Sequence, residues 1–292
     1  METPRRRWTQ GQINAVSGAI AGLTSGVAVC PLDVVKTKLQ VQGFTRIQSY
    51  RGVTGTLAQI VREDGVSGLY RGLGPLVLGY LPTWTIYFWV YGKVRGTDTD
   101  PRRDLLAAVT AGATSTLATN PIWVIKTRLM SQSKHTPWQY RGIWDAALTM
   151  YREEGPRVFY SGLTSALLGL PHVAIQFPLY EYLKRKLDAE HNWVGYLGAS
   201  IASKCVASTI TYPHEVIRSR DQIKSAKKYK GILRTSVVVY REEGWRAFYA
   251  GLGANICRAI PASAITLFTY EMVSHHLRAH ILPPQDHMPD GL

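Results

Sequence analysis

Charged side chains disappear from this chain for about twenty residues at a time. No Asp, Glu, Lys or Arg occurs from Ile13 to Leu32, Gly72 to Gly92, Leu105 to Ile125 or Ser161 to Tyr180. Two further stretches hold one cation each: Trp193 to Pro213 contains Lys204, and Ala250 to Tyr270 contains Arg258. A helix of about 20 apolar residues matches the hydrocarbon thickness of a bilayer. Gly, Ala, Ser and Thr crowd these stretches, as in Gly18-xxx-Gly22 and Ala108-xxx-Gly112, and small residues let spanning helices approach closely. The pattern predicts an all-α membrane protein with six transmembrane helices. Within each successive pair, a charged, amphipathic connector such as Gln48 to Val66 joins the two spans. Such a segment is expected to lie as a short helix along the membrane surface.

The pairs are copies of one unit. Pro31-Leu-Asp33-Val-Val-Lys36-Thr-Lys38 returns as Pro121-Ile-Trp123-Val-Ile-Lys126-Thr-Arg128 and as Pro213-His-Glu215-Val-Ile-Arg218-Ser-Arg220, the prolines lying 90 and 92 residues apart. Tyr50-Arg51-Gly52, Tyr140-Arg141-Gly142 and Tyr229-Lys230-Gly231 keep the same register, as do the acid-Gly pairs at Asp64-Gly65, Glu154-Gly155 and Glu243-Gly244. So do Gly72, Gly162 and Gly251, each two residues after a Tyr, and the later prolines Pro82, Pro171 and Pro261. A period near 90 is too long for a solenoid and suits three two-helix modules around a common axis. The boundaries are 1–98, 99–190 and 191–280, followed by a tail over 281–292 whose prolines read as disorder. A proline inside a helix removes a backbone hydrogen bond and bends it, which would swing each motif's charges toward that axis.

Bulk composition alone would mislead. A hydrophobic fraction of 46% and a mean hydropathy of −0.08 describe an ordinary soluble protein. The net charge of +14 falls in connectors and at span ends rather than in one patch, so an anionic lipid surface is the expected partner and nucleic acid is not. Cys30, Cys205 and Cys257 lie inside spans without metal-ligand spacing, so neither disulfides nor a metal is expected. Met1 to Gln12 holds three arginines but no apolar stretch, and reads as an uncleaved tail rather than a secretory signal. No Ser/His/Asp set, metal cluster or phosphate-binding glycine loop is present, which argues against an enzyme.

Lys204 and Arg258 break the repeat. Lys204 stands where the other copies have Gly22 and Gly112, and Arg258 where they have Gly79 and Leu168. A cation within a span is costly and marks function. Two lone cations with no acid at matching depth predict an anionic substrate, and a guanidinium favours phosphate through its bidentate fork. Trp84, Tyr87, His172 and Gln176 are placed at the same level, with Gly79 beside them. Trp84 or Tyr87 could stack on a base, worth about 1–3 kcal/mol in comparable settings.

The threefold Pro-x-acid-x-x-base-x-base motif resembles that of the mitochondrial carrier family, over residues from about Gln10 to Leu277. The resemblance implies six tilted helices around a cavity in the mitochondrial inner membrane, multi-pass, with both termini facing the intermembrane space and no bound cofactor. It implies a matrix gate in which Asp33 pairs with Lys126 and Glu215 with Lys36, braced by Gln40 and Gln222. Trp123 stands where Arg218 would find its acid, and Met130 replaces the third bracing glutamine. A cytoplasmic gate follows the Tyr-acid-x-x-base pattern: Tyr180-Glu181 with Lys184 is complete, Tyr91 with Arg95 lacks the acid, and Tyr270-Glu271 lacks the base. Glu271 with Arg95 is then the expected pair. Two matrix bridges against one predict that the empty carrier rests open to the intermembrane space. Gly52, Gly72, Gly142, Gly162, Gly231 and Gly251 match the family's cardiolipin-binding pattern, and the protein is expected to be a monomer among membrane lipids. The segments Pro82-Thr-Trp84, Pro121-Ile-Trp123 and Leu168-Gly-Leu-Pro-His172 are similar to those of the fungal NAD+ carriers, adjoining the pyrimidine nucleotide, FAD and folate carriers. NAD+, exchanged for a nucleotide, is therefore the expected cargo, a proton or anion leak being the reading from another class.

Overall fold

The computed structural model describes residues 10–42, 52–96, 101–134, 136, 138–169, 171–187, 193–223 and 231–281. Tyr50, Arg51, Tyr229, Lys230 and the tail beyond Ile281 lie outside them. The described residues form ten α-helices and three short 3-10 segments, with no strand. These are α1 (Gln10–Gln40), α2 (Gly52–Asp64), α3 (Leu73–Arg95), α4 (Pro101–Ser131), α5 (Ile143–Glu154), α6 (Leu163–Leu167), α7 (Pro171–Lys186), α8 (Trp193–Gln222), α9 (Ile232–Glu243) and α10 (Leu252–Ile281). The all-α expectation holds. Among the described residues, Val16–Gln40 and Trp245–Arg278 are long and apolar enough to cross a membrane, with mean hydropathies of 1.6 and 1.2.

The threefold pattern is visible in the element order: a long helix carrying the motif proline, a short helix, a 3-10 turn, then a second long element. α2, α5 and α9 bury the same pair of positions, Thr56 with Ile60, Ala146 with Met150 and Thr235 with Val239. That i, i+4 spacing puts both on one helix face, and the remaining residues carry the connector's charges. Each short helix ends at a glycine and turns into a 3-10 segment, Val66–Tyr70, Pro156–Tyr160 or Trp245–Tyr249.

The motif prolines Pro31, Pro121 and Pro213 are held inside unbroken helices, and so are Pro82 and Pro261. Pro171 behaves differently. The fourth expected span, Ser161 to Tyr180, is divided into α6 and α7 rather than running as one helix. Leu168 and Gly169 form turns, closed by Leu168 N–H to Thr164 O and Gly169 N–H to Ala166 O. Gly is a poor helix former and Pro removes a donor, and here the two stand within three residues. Gly169 also has no room for a side chain, because a Cβ would lie 2.7 Å from His214 Nε2.

The chain separates into two compact units, Met1–Val29 with Pro261–Leu292, and Cys30–Ile260. In the first, Ser25 Oγ donates to Ala262 O at 3.0 Å and Arg278 Nη2 to Asn14 Oδ1 at 3.5 Å. In the second, Val124, Ile125, Leu129, Met150 and Val158 share a core with Trp138 and Tyr140. Cys30, Val34, Val35, Leu39, Ile60 and Leu69 form another. These cores fix the registers of α1, α4 and α8 around the charged motifs.

Candidate binding cavity and its ion-pair network

The C-terminal halves of α1, α4 and α8 meet through one contact pattern used in turn. The hydroxyl six residues after each motif proline reaches the side chain nine residues after the proline of a neighbour. Ser219 Oγ donates to Gln40 Oε1 at 2.7 Å, Thr127 Oγ1 to Gln222 Oε1 at 2.7 Å, and Thr37 Oγ1 lies 3.7 Å from Met130 Sδ. Backbone bonds reinforce it, from Arg220 Nε to Gln40 O at 3.0 Å and from Arg128 Nε to Gln222 O at 2.9 Å. Three glycines admit the neighbouring chain at the same level. A Cβ on Gly251 (φ 85°) would sit 3.1 Å from Lys36 O and 3.0 Å from the Tyr212 hydroxyl, and one on Gly162 would sit 3.1 Å from Arg218 O. Gly72 is pressed in the same way against Met130.

Inside this contact ring lies a cavity of about 490 Å³, within the usual range for a small-molecule site. Its lining includes Asp33, Lys36, Lys126, Glu215, Arg218 and Arg258, with Gln40 and Gln222 beside them. Lys36 Nζ stands 2.6 Å from Glu215 Oε2. The same carboxylate oxygen accepts from Gln40 Nε2 at 3.4 Å, and Lys36 also donates to Asn255 Oδ1 at 3.0 Å. Lys36, Glu215 and Gln40, which the resemblance implied as a pair and its brace, thus lie together.

Asp33 is arranged differently. Lys126 Nζ lies 3.8 Å away, whereas Arg258 Nη1 lies at 2.9 Å. The expectation of a cation with no acid at its depth is therefore corrected for Arg258, since an arginine reaches far enough from α10 to take the carboxylate expected to pair with Lys126. Lys126 is compensated in part by the indole of Trp123, its Nζ standing 5.0 Å from the ring centroid.

Trp123 turns its indole toward α3. Its Nε1 donates to Thr119 Oγ1 at 3.1 Å, and a Cβ on Gly79 would meet Cζ2 at 3.6 Å and Ile122 Cγ2 at 3.1 Å. Gly79 is thus a close-packing site under Trp123. Of the other residues assigned to substrate, His172 joins Arg258 on the lining, with Nδ1 2.9 Å from Thr211 Oγ1. Trp84, Tyr87, Gln176 and Lys204 are not among the lining residues. Trp84 is exposed and stacked on Phe88 at 5.5 Å, and Tyr87 is stacked on Tyr91 at 6.1 Å. Thr83, one position before Trp84, faces the cavity in its place.

Among the residues expected at a cytoplasmic gate, Arg95 pairs with Asp104 at 2.8 Å, and Tyr91 donates to the same Oδ1 at 3.3 Å. Asp104, in the first turn of α4, thus supplies an acid that the motif lacks at Gly92. Tyr180 meets the Tyr196 ring edge-on at 5.9 Å. Glu181 is exposed, and Glu271 and Tyr270 belong to the other unit. A second set of ion pairs had gone unassigned. Lys38 reaches Asp64 at 3.2 Å, while Arg128 grips Glu154 and Arg220 grips Glu243 with both terminal nitrogens. Each joins the last base of a motif to the acid-Gly pair of the following short helix. The signal was in the sequence, because both partners recur in all three copies.

Three successive segments, residues 8–100, 97–191 and 189–280, match the family model described as mitochondrial carrier protein. The chain is similar to the mitochondrial nicotinamide adenine dinucleotide transporter 1 of Saccharomyces cerevisiae, 47% identical over 94% of this chain and 80% of that protein. It is similar to the chloroplastic nicotinamide adenine dinucleotide transporter 1 of Arabidopsis thaliana, 41% identical over 92% and 93% of the two. Folate transporter 1 of the same plant's chloroplast is 37% identical over 91% and 96%.

Proposed function

Because the chain belongs to the mitochondrial carrier protein family, we propose that it moves NAD+ across the mitochondrial inner membrane in exchange for a nucleotide. Membership makes it a transporter and not an enzyme, and NAD+ is its cargo rather than a bound cofactor. The observation that carries the reading is a charge surplus. Among the described residues, the cavity lining sets Lys36, Lys126, Arg218 and Arg258 against Asp33 and Glu215. Two positive charges in excess suit the two negative charges of a pyrophosphate, and the names of the two dinucleotide-transporting relatives point the same way.

Cargo exchange follows from Asp33 and Arg258. An arriving phosphate competes with Asp33 for the guanidinium, to which it can bind bidentately. Asp33 is then left with Lys126 alone, and the gate between α1 and α4 loosens. A ligand shifts a conformational equilibrium by its differential affinity for the states, and this trade supplies such a difference. The six charge-poor segments would be the spans, with α7 completing the fourth after the break at Gly169. Phosphate headgroups of cardiolipin would dock on the N-terminal turns behind Gly52, Gly142 and Gly231, where space is open around each Cα, and a monomer suffices for transport.

Reconstitution of the purified protein tests this directly. Labelled NAD+ should enter liposomes loaded with AMP or GMP and should not enter empty ones. Unlabelled UTP, FAD and folate, tested as competitors, separate the neighbouring carriers' cargoes, and a current without exchange would reveal a leak. Uptake of UTP or folate but not of NAD+ would overturn the assignment.

A further inference from the structure

Arg218 is a gate cation without its acid. On α1, Lys36 and Gln40 stand one helical turn apart and both address Glu215 Oε2, at 2.6 and 3.4 Å. Arg218 and Gln222 are the same two positions on α8, and in the register of the repeats their acid would stand at position 123 of α4, which is Trp123. No acid meets them there. Among the described residues Arg218 has no ion pair or hydrogen bond. Gln222 uses Oε1 to accept from Thr127 and leaves Nε2 buried with no partner. Gln222 is 1% exposed and both residues line the cavity. The indole cannot substitute for the missing carboxylate, since it offers a donor and not an acceptor, and that donor is already used by Thr119.

A buried donor without a partner costs free energy, and beside it Arg218 shares Glu215, whose carboxylate is already bound by Lys36 at 2.6 Å. Both are relieved by one anionic oxygen group placed where the acid of position 123 would have been. We propose that Arg218 and Gln222 form an anion subsite, completed by a phosphoryl group of the cargo, which thereby supplies the third matrix bridge. The subsite lies on α8, facing α4, apart from Arg258 on α10. Two separate anchors of this kind suit a ligand with two phosphoryl groups better than one with a single phosphate. This inference deepens the cargo reading and rests on it for the identity of the ligand, but not for its charge.

The test uses the full-length protein in liposomes and in detergent. Arg218→Gln should raise the NAD+ concentration for half-maximal exchange by about 10- to 100-fold, the range for losing a hydrogen bond to a charged group. Arg218→Lys should recover part of that loss. Gln222→Leu should raise the concentration by a smaller factor. Trp123→Glu should fill the subsite from within, raising the melting temperature without ligand while weakening the stabilisation given by NAD+. Nicotinamide riboside and adenosine, which lack phosphate, should stabilise native protein and Arg218→Gln equally. If the native protein exchanges UTP or folate instead of NAD+, the cargo reading fails, and the same variants are compared with the accepted anion. A half-saturation value within twofold of native for Arg218→Gln, with whichever anion is accepted, would overturn the subsite. So would an unchanged ligand response in Trp123→Glu, which does not depend on removing Arg218.

Discussion

Replacing Glu154 by Gln probes the contact on which the α4–α8 register depends. The Arg128 side chain is 1% exposed, and both of its terminal nitrogens bind the Glu154 carboxylate while Nε binds Gln222 O at 2.9 Å. Glu154→Gln keeps the shape, removes the negative charge and leaves a buried guanidinium without a counterion. Breaking one side of a buried pair costs about 3–5 kcal/mol. The lower end applies here, because Nε keeps Gln222 O and Glu154 is itself 17% exposed, so that water can reach the vacated oxygen. At about 2–4 °C per kcal/mol for chains of roughly this size, the melting temperature should fall by about 6–12 °C. The assay is thermal unfolding in detergent, in a Cys205→Ser, Cys257→Ser background, read by a thiol-reactive dye that reaches buried Cys30 when the fold opens, with exposed Arg152→Gln as the control. Replacing the whole pair, as Arg128→Met with Glu154→Leu, should restore most of the loss, because an apolar pair carries no desolvation penalty. A fall of less than about 3 °C for Glu154→Gln would mean that water already compensates this guanidinium, and the register argument would fail with it.

Three other expectations concern the gate, the close glycine corners and pH. Asp33→Asn should release Arg258 and Lys126 together, weakening the matrix gate by about 1.5–3 kcal/mol; NAD+ efflux from liposomes without counter-substrate should rise, and strict exchange in the variant would count against it. Gly251→Ala should cost about 2–4 kcal/mol, since its positive φ is joined by a clash with Lys36 O. Gly253→Ala, two residues further on, has open space and no positive φ and should cost less than about 0.5 kcal/mol, so equal melting losses would contradict the account. Asp221 lies in the last turn of α8, beyond the expected span, where burial raises its pKa despite hydrogen bonds from Thr235 and Ser165. A carboxyl group raised in the folded state contributes stability at low pH that is lost as pH rises through that folded value. Melting curves from pH 4 to 7 should therefore show native protein losing stability relative to Asp221→Asn just above the ordinary carboxylate range, and a flat difference would refute the burial effect.

Charge placement made much of this legible before any coordinates. The Lys36–Glu215 and Asp33–Lys126 pairings came from the family resemblance, and the two nitrogen–oxygen distances are 2.6 and 3.8 Å. The choice of Trp84 over Thr83 shows the limit. Neighbouring residues on a helix point about 100° apart, and α3 carries no charge from Leu73 to Gly92 to say which side faces the cavity. Polarity alternation identifies a helix face only when the two faces meet different media. Arg258 lines the cavity, but its partner Asp33 was not foreseen, because a side chain's reach across to another helix depends on interhelical packing that repeat register does not contain. Lys38, Arg128 and Arg220 were missed for a different reason: their acids lie in the short helices, which the motif reading treated only as surface segments.

The arrangement around Asp33 and Arg218 places a quantitative demand on the cargo. Moving an equilibrium from 1:99 to 99:1 takes about 5.5 kcal/mol of differential affinity. Taking Arg258 from Asp33 exchanges one charge-assisted hydrogen bond for another, so it loosens the gate but adds little net energy. A phosphate on Arg218 and Gln222 displaces no ion pair, because neither side chain is within bonding distance of a carboxylate among the described residues, and a bond to a charged group there contributes about 1.5–3 kcal/mol. In the proposed cycle the two contacts have different tasks, one releasing the gate and the other holding the cargo. A double-mutant cycle of Arg258→Gln and Arg218→Gln, measured on half-saturation for NAD+, separates them. If a single ligand bridges both, the losses should couple by more than about 0.5 kcal/mol, whereas strict additivity would mean that they act on independent ligands or independent states.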